Sequence, residues 1–150
     1  MGNISIKIGG SMQTERLIIK PTTINDVDLL LKMDKQEITQ KYLGGIKNKT
    51  REERIEFLKK KTNSYTVYLK DNTPIGFIGI NKDNELGYIF DYDYCNKGYC
   101  TEACKELLNS VNLKEIYANI IKGNDSSKRV LEKLGFKKIK EDTEFIYYRR

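Results

Sequence analysis

Short apolar runs alternate with charged and turn-forming stretches along this chain, and their spacing predicts a regular succession of elements. Arg16-Leu17-Ile18-Ile19-Lys20 is β-branched and stops at Pro21, the pattern of a strand ended by proline. Within residues 25–33, Val27, Leu30 and Leu31 fall at helical spacing. Thr50-Arg51-Glu52-Glu53 fits a capping box, in which the threonine hydroxyl and the glutamate carboxylate each satisfy an orphan amide. It opens a helix whose apolar stripe is Ile55 and Leu58, and Tyr42-Leu43-Gly44-Gly45 breaks the pattern before it as a loop. Residues 65–70, 74–80 and 85–90 are strand-like and joined by short turn-rich segments, which predicts an antiparallel meander. Gly76 and Gly79 weaken the middle strand, so something is expected to approach its backbone closely.

The second half continues in the same manner. Ala103, Cys104, Leu107, Leu108 and Val111 keep a 3.6-residue period over 101–111, and residues 115–121 read as a strand. A helix over 126–134 buries Val130, Leu131 and Leu134. Gly135 stands where a left-handed cap belongs, and Phe136 can fold back on Leu131. Strands over 136–140 and 144–149 close the chain. The predicted order is βααβββαβαββ, an α/β domain with a mixed, mostly antiparallel sheet and one strand–helix–strand crossover that supplies a parallel pair.

A length of 150 residues accommodates one such core, expected over 14–150; residues 1–13, ending near a Gly-Gly-Ser, read as a leader outside the fold. Twenty-seven basic against 21 acidic residues leave a net charge of +6, modest and scattered. No apolar run approaches a membrane span, and an odd set of three cysteines fits a reducing, cytoplasmic setting better than a disulfide framework. The complete absence of histidine removes Ser-His and Cys-His nucleophiles, histidine metal sites and an imidazole base. Cys95, Cys100 and Cys104 lack a fourth ligand, so no metal is expected; a helix N-terminus could lower the Cys100 pKa, but a small packing residue is the simpler reading.

The most informative stretch is Tyr94-Cys95-Asn96-Lys97-Gly98-Tyr99-Cys100-Thr101-Glu102-Ala103, a tight strand-to-helix connection. Unpartnered amides and the helix dipole make such a connection an anion site. Gly98 permits positive φ or close approach, and Lys97 adds a cation. With Leu86-Gly87-Tyr88-Ile89-Phe90-Asp91 before it, this stretch resembles the acetyl-CoA motif of the GNAT superfamily of N-acetyltransferases. Asn124-Asp125-Ser126-Ser127 and Val130-Leu131-Glu132-Lys133-Leu134-Gly135-Phe136 resemble that superfamily's second signature. Thr14-Glu15-Arg16-Leu17 with Ile19-Lys20-Pro21 is similar to the opening of the branch that acetylates N-termini of ribosomal proteins. Cys95 and Cys100 replace residues of the family's Gln/Arg-x-x-Gly-x-Gly/Ala loop, and Asn96 stands where a further glycine is common.

The resemblance implies the GNAT fold, with flanking helices and the fourth and fifth predicted strands (85–90 and 115–121) splayed apart. It implies that a substrate amine attacks acetyl-CoA directly in a ternary complex, without a metal. Cofactor contacts are implied for Ile89, Phe90 and Asp91 on the splayed strand, for Asn96, Lys97, Gly98, Tyr99, Cys100 and Thr101 in the loop, and for Asn124 and Ser127. Ser127 is the expected proton donor to the leaving thiolate; Glu85 and Glu144 are the candidate bases. A protein N-terminus is the less demanding acceptor. An α-amine is roughly a tenth neutral at pH 7, against about one part in 2,500 for a lysine. The expected partners are acetyl-CoA and an amine, with no membrane and no direct nucleic acid, in a monomer or homodimer. The competing reading is a non-catalytic basic module that binds RNA or ribosomes, against which stands the lack of a concentrated basic stripe.

Overall fold

A computed structural model describes residues 10–42 and 49–150. Two antiparallel sheets form the frame. The larger runs β1 (Met12–Gln13), β2 (Leu17–Pro21), β3 (Ser64–Leu69), β4 (Pro74–Ile80) and β5 (Leu86–Phe90), neighbours in that order. The smaller comprises β6 (Tyr117–Ile121), β7 (Lys137–Glu141) and β8 (Phe145–Arg149), with β8 in the middle. Among the described residues, the pairing that joins the sheets is one parallel bridge between Glu85 and Tyr117, supported by Tyr117 N–H donating to Asn84 O at 2.8 Å. Beyond it β5 and β6 diverge.

Helices cover both faces. α4 (Tyr99–Asn109) packs Ala103, Cys104 and Leu107 against Ile78, Ile80 and Leu17, in a core continuous with the smaller sheet and with α5 (Asp125–Lys133). On the opposite face, α1 (Val27–Asp34) and α3 (Arg51–Lys60) bury Leu30, Met33 and Leu58 over Phe77. Local signals place the ends. Glu53 N–H donates to Thr50 Oγ1 at 3.1 Å and Thr50 N–H to Glu53 Oε1 at 2.9 Å, the expected reciprocal cap. At the end of α5, Phe136 N–H donates to Leu131 O at 3.0 Å and Gly135 N–H to Glu132 O at 3.1 Å, a Schellman closure that buries Phe136 on Leu131. No helix among the described residues is long and apolar enough to cross a membrane.

Several expectations are corrected. Met12 and Gln13, expected in the leader, belong to the larger sheet: they pair with Ile19 and Ile18, and Met12 is buried. The remainder of the supposed leader, 1–9, lies outside the described residues. A third helix, α2 (Glu37–Tyr42), precedes the capping-box helix, so Tyr42 belongs to a helix, while Leu43-Gly44-Gly45 lies outside the described residues. The close approach at the glycines of β4 is real and internal. A Cβ on Gly76 would sit 2.6 Å from the Phe90 ring, and one on Gly79 2.6 Å from Asn63 O.

Candidate active site

A cavity of about 1190 Å³ fills the wedge between β5 and β6 and extends past it to the α1–α3 side of the sheet. One wall is the free edge of β5. Asp91 N–H donates to Ile75 O at 2.9 Å, and the register pairs Ile89 with Phe77 and Gly87 with Gly79. Antiparallel ladders alternate, so main-chain groups of Ile89 and the Asp91 N–H are spent on β4, while those of Tyr88 and Phe90 turn towards β6; the Asp91 carbonyl accepts Tyr94 N–H at 2.8 Å. Of the three residues expected to offer backbone groups, Phe90 is the one the ladder leaves free, and Tyr88 joins it. Asp91 is 1% exposed and does not line the cavity. Its carboxylate accepts from Lys32 Nζ at 2.6 Å and Gln36 Nε2 at 2.8 Å. Burial opposes its ionisation, but these bonds hold the carboxyl below its ordinary range. It is a clamp between the strand end and α1.

The anion loop closes one end. Asn96 and Gly98 adopt positive φ, 60° and 83°, and Gly98 is the N-cap of α4. Helical bonding starts with Glu102 N–H to Gly98 O at 3.0 Å, so the amides of Tyr99, Cys100 and Thr101 have no intrahelical acceptor. Asn96, Gly98, Cys100 and Thr101 line the cavity; Lys97 and Tyr99 do not. Instead, Arg16 reaches across from the start of β2. Its Nε donates to Glu102 Oε1 at 2.7 Å, its Nη1 to Lys97 O at 3.1 Å, and its guanidinium lies 4.4 Å over the Tyr99 ring. Thr14 Oγ1 adds a bond to Glu102 Oε2 at 2.6 Å. Burial resists ionisation of Glu102, and the bonds from Thr14 and Arg16 overcome it and lower its pKa. Arg16 and Glu102 stand 86 residues apart, and no local pattern announces their pairing.

The facing wall is the N-terminus of α5. Asn124 Oδ1 caps it by accepting Ser127 N–H at 3.2 Å, and Ser126 Oγ donates to Asn96 Oδ1 of the anion loop at 3.3 Å. Ser127 Oγ lies 2.7 Å from Tyr88 Oη across the wedge. Burial, reinforced by Cys100, drives the Tyr88 phenol well above its ordinary pKa, so it remains a hydroxyl. Tyr88 was visible only as part of the strand motif, and its pairing with Ser127 requires the fold. Arg129 and Lys133, one turn apart on α5, also line this side. Burial raises the Cys95 thiol, with Asp91 adding to it, and raises Cys100 well above the usual value, opposite to the expected lowering of Cys100.

The two candidate bases separate. Glu85 sits at the apex of the wedge on the cavity wall, with Oε1 accepting from Asn81 Nδ2 at 2.8 Å. Glu144 is exposed on the final hairpin and outside the cavity; its carbonyl accepts from Lys122 N–H at 2.9 Å. At the inner end, between α1, α2 and α3, the wall carries an ion pair. Arg54 Nη2 donates to Asp34 Oδ1 at 3.0 Å, while Arg54 Nε lies 2.8 Å from Asp34 Oδ2 out of hydrogen-bond alignment. Burial lifts the Asp34 carboxyl more than Arg54 lowers it. This pair also escaped the sequence pattern.

Residues 16–137 match the sequence profile of the acetyltransferase (GNAT) domain family. Over 85 residues the chain is 34% identical to an uncharacterized N-acetyltransferase, YjdG, of Bacillus subtilis, covering 49% of this chain and 51% of that protein; it thus spans about half the length of this curated relative. A GNAT-family acetyltransferase structure from Bacillus anthracis superposes with a TM-score of 0.83 at 26% identity, over 93% of this chain and 97% of that one. The ribosomal-protein-S5-alanine acetyltransferase of Vibrio fischeri shares the fold, with a TM-score of 0.74 at 19% identity over 95% of this chain and 96% of that one.

Proposed function

Because the chain belongs to the GNAT acetyltransferase family, we propose that it moves an acetyl group from acetyl-CoA to a primary amine by direct attack in a ternary complex. The observation that carries this reading is the wedge: a strand edge whose Tyr88 and Phe90 main-chain groups the β4 ladder leaves unused, the Phe90 carbonyl receiving the Cys95 thiol at 3.8 Å, ending at a loop whose first helical amides have no intrahelical acceptor. A slender amide-containing arm fits along that edge as an added strand, and a pyrophosphate fits the N–H groups of Tyr99, Cys100 and Thr101. Arg129 and Lys133 stand ready for further phosphate charge.

When bound, acetyl-CoA supplies the activated carbonyl and a thiolate leaving group. The chain's own residues orient the carbonyl, stabilise the oxyanion from the edge amides and handle two protons. Glu85, oriented by Asn81, takes the amine proton through water. The Ser127–Tyr88 hydroxyl pair returns a proton to the thiolate, with the Tyr88 phenol held protonated by its burial. Likeness to a ribosomal-protein acetylating enzyme supports a protein N-terminus as acceptor, and the odd set of three cysteines supports the cytoplasm as the setting.

Release of free thiol from acetyl-CoA, measured with purified protein and a panel of amines that includes peptides with free N-termini, tests the reading. Turnover is expected. Tyr88→Phe and Ser127→Ala should each lower kcat about ten- to a hundredfold with the KM for acetyl-CoA little changed. No turnover with any amine in the panel counts against the proposal.

A further inference from the structure

The inner end of the cavity holds charge and hydroxyl groups that the transfer chemistry does not use. Arg54 is 5% exposed and lies on the cavity wall, its guanidinium 4.7 Å from the Phe57 ring centroid. Lys61 Nζ lies 5.0 Å from the same ring, so two cations flank one aromatic. Asp34 is the carboxylate paired with Arg54 there, and a guanidinium offers five donors, more than one carboxylate takes up. Thr39, 2% exposed and also on the wall, has an Oγ1 with no hydrogen-bond partner among the described residues. A buried hydroxyl left unbonded costs free energy that a bound group can recover. Lys61 is an exposed residue whose ammonium pKa is lowered, first by partial desolvation of its head and then by the Arg54 charge.

We propose that this end of the cavity is a subsite for a carboxylate carried by the acceptor amine, with Arg54 and Lys61 as its cations and Thr39 as its hydroxyl donor. The assignment of the bound molecule as the acceptor rests on the acetyl-transfer reading. A coenzyme phosphate is the weaker occupant, because the anion loop, Arg129 and Lys133 already provide for phosphate at α4 and α5, whereas Arg54, Lys61 and Thr39 belong to the α1–α3 side. Among the described residues at this end of the wall, one carboxylate stands against two cations, and the remaining positive charge is one that a further carboxylate balances.

Matched amines test it: a peptide beginning Ser-Asp against one beginning Ser-Asn, and β-alanine against β-alaninamide, each titrated calorimetrically into the CoA-loaded protein and each assayed for transfer. The carboxylate member of at least one pair should bind about tenfold tighter, with the gain in transfer appearing in KM. The pair that discriminates shows whether the source is a peptide or a free amino acid. Lys61→Glu should erase the preference while thermal protection by acetyl-CoA persists. Thr39→Val should weaken carboxylate binding severalfold without lowering the unfolding temperature. Equal binding of both members in both pairs, or a preference that survives Lys61→Glu, overturns the subsite. Carboxylate-selective binding without transfer would leave the subsite standing and remove the acetyl-transfer reading instead.

Discussion

The two ends of the cavity are built from different materials. At the anion loop the working groups are main-chain amides, fixed by Asn96 and Gly98 in left-handed conformations and by the α4 terminus. At the inner end they are side chains, Arg54 and Asp34, 20 residues apart on separate helices and held by burial. A main-chain site tolerates many side chains but few backbone changes. A side-chain site has the opposite sensitivity, and its chemistry can change without disturbing the fold that carries it.

The sharpest break of that contrast is Arg54→Ala. It strands the Asp34 carboxylate in a buried setting and should cost about 3–5 kcal/mol in denaturant unfolding. Gly98→Glu follows. It places a carboxylate where an anion is expected and forces a side chain into φ 83°, with its Cβ 3.2 Å from Arg16 Nη2. Calorimetry should show acetyl-CoA affinity reduced at least about a hundredfold in a chain that still folds. The smallest effect belongs to Glu102. Its pKa is lower in the folded state, so the stabilisation it brings is complete above its unfolded pKa and is lost as pH falls through the folded value. Glu102→Gln should therefore flatten the acid side of the stability profile, with a loss of about 1 kcal/mol at neutral pH that vanishes in acid.

What was legible in the sequence follows the same division. The caps at Thr50 and Gly135, the meander and the anion loop are local events, written in consecutive residues that need only their neighbours to act. The family assignment rests on such motifs. Arg16 on Glu102, Tyr88 on Ser127 and Arg54 on Asp34 are separated by 86, 39 and 20 residues, and, Ser127 apart, each side chain alone reads as ordinary surface or core. Glu85 and Glu144 looked equivalent as carboxylates on strand ends. Only the topology puts one at the apex of the wedge and the other on an exposed hairpin. Helix α2 was missed because its single turn and a half, Glu-Ile-Thr-Gln-Lys-Tyr, offers Ile38 and Thr39 but no repeating apolar face.

The bridge between Glu85 and Tyr117 has a consequence for solubility. A strand margin with idle amides on the outside of a protein invites another chain to zip onto it and seeds aggregation. Here the same margin of β5 is turned inward, with β6 standing guard across a cleft that starts from a single point of closure. To pair with β5, a neighbouring polypeptide has to enter the cleft that the second sheet faces. The molecule thus keeps a sticky surface permanently available while denying it to its own kind.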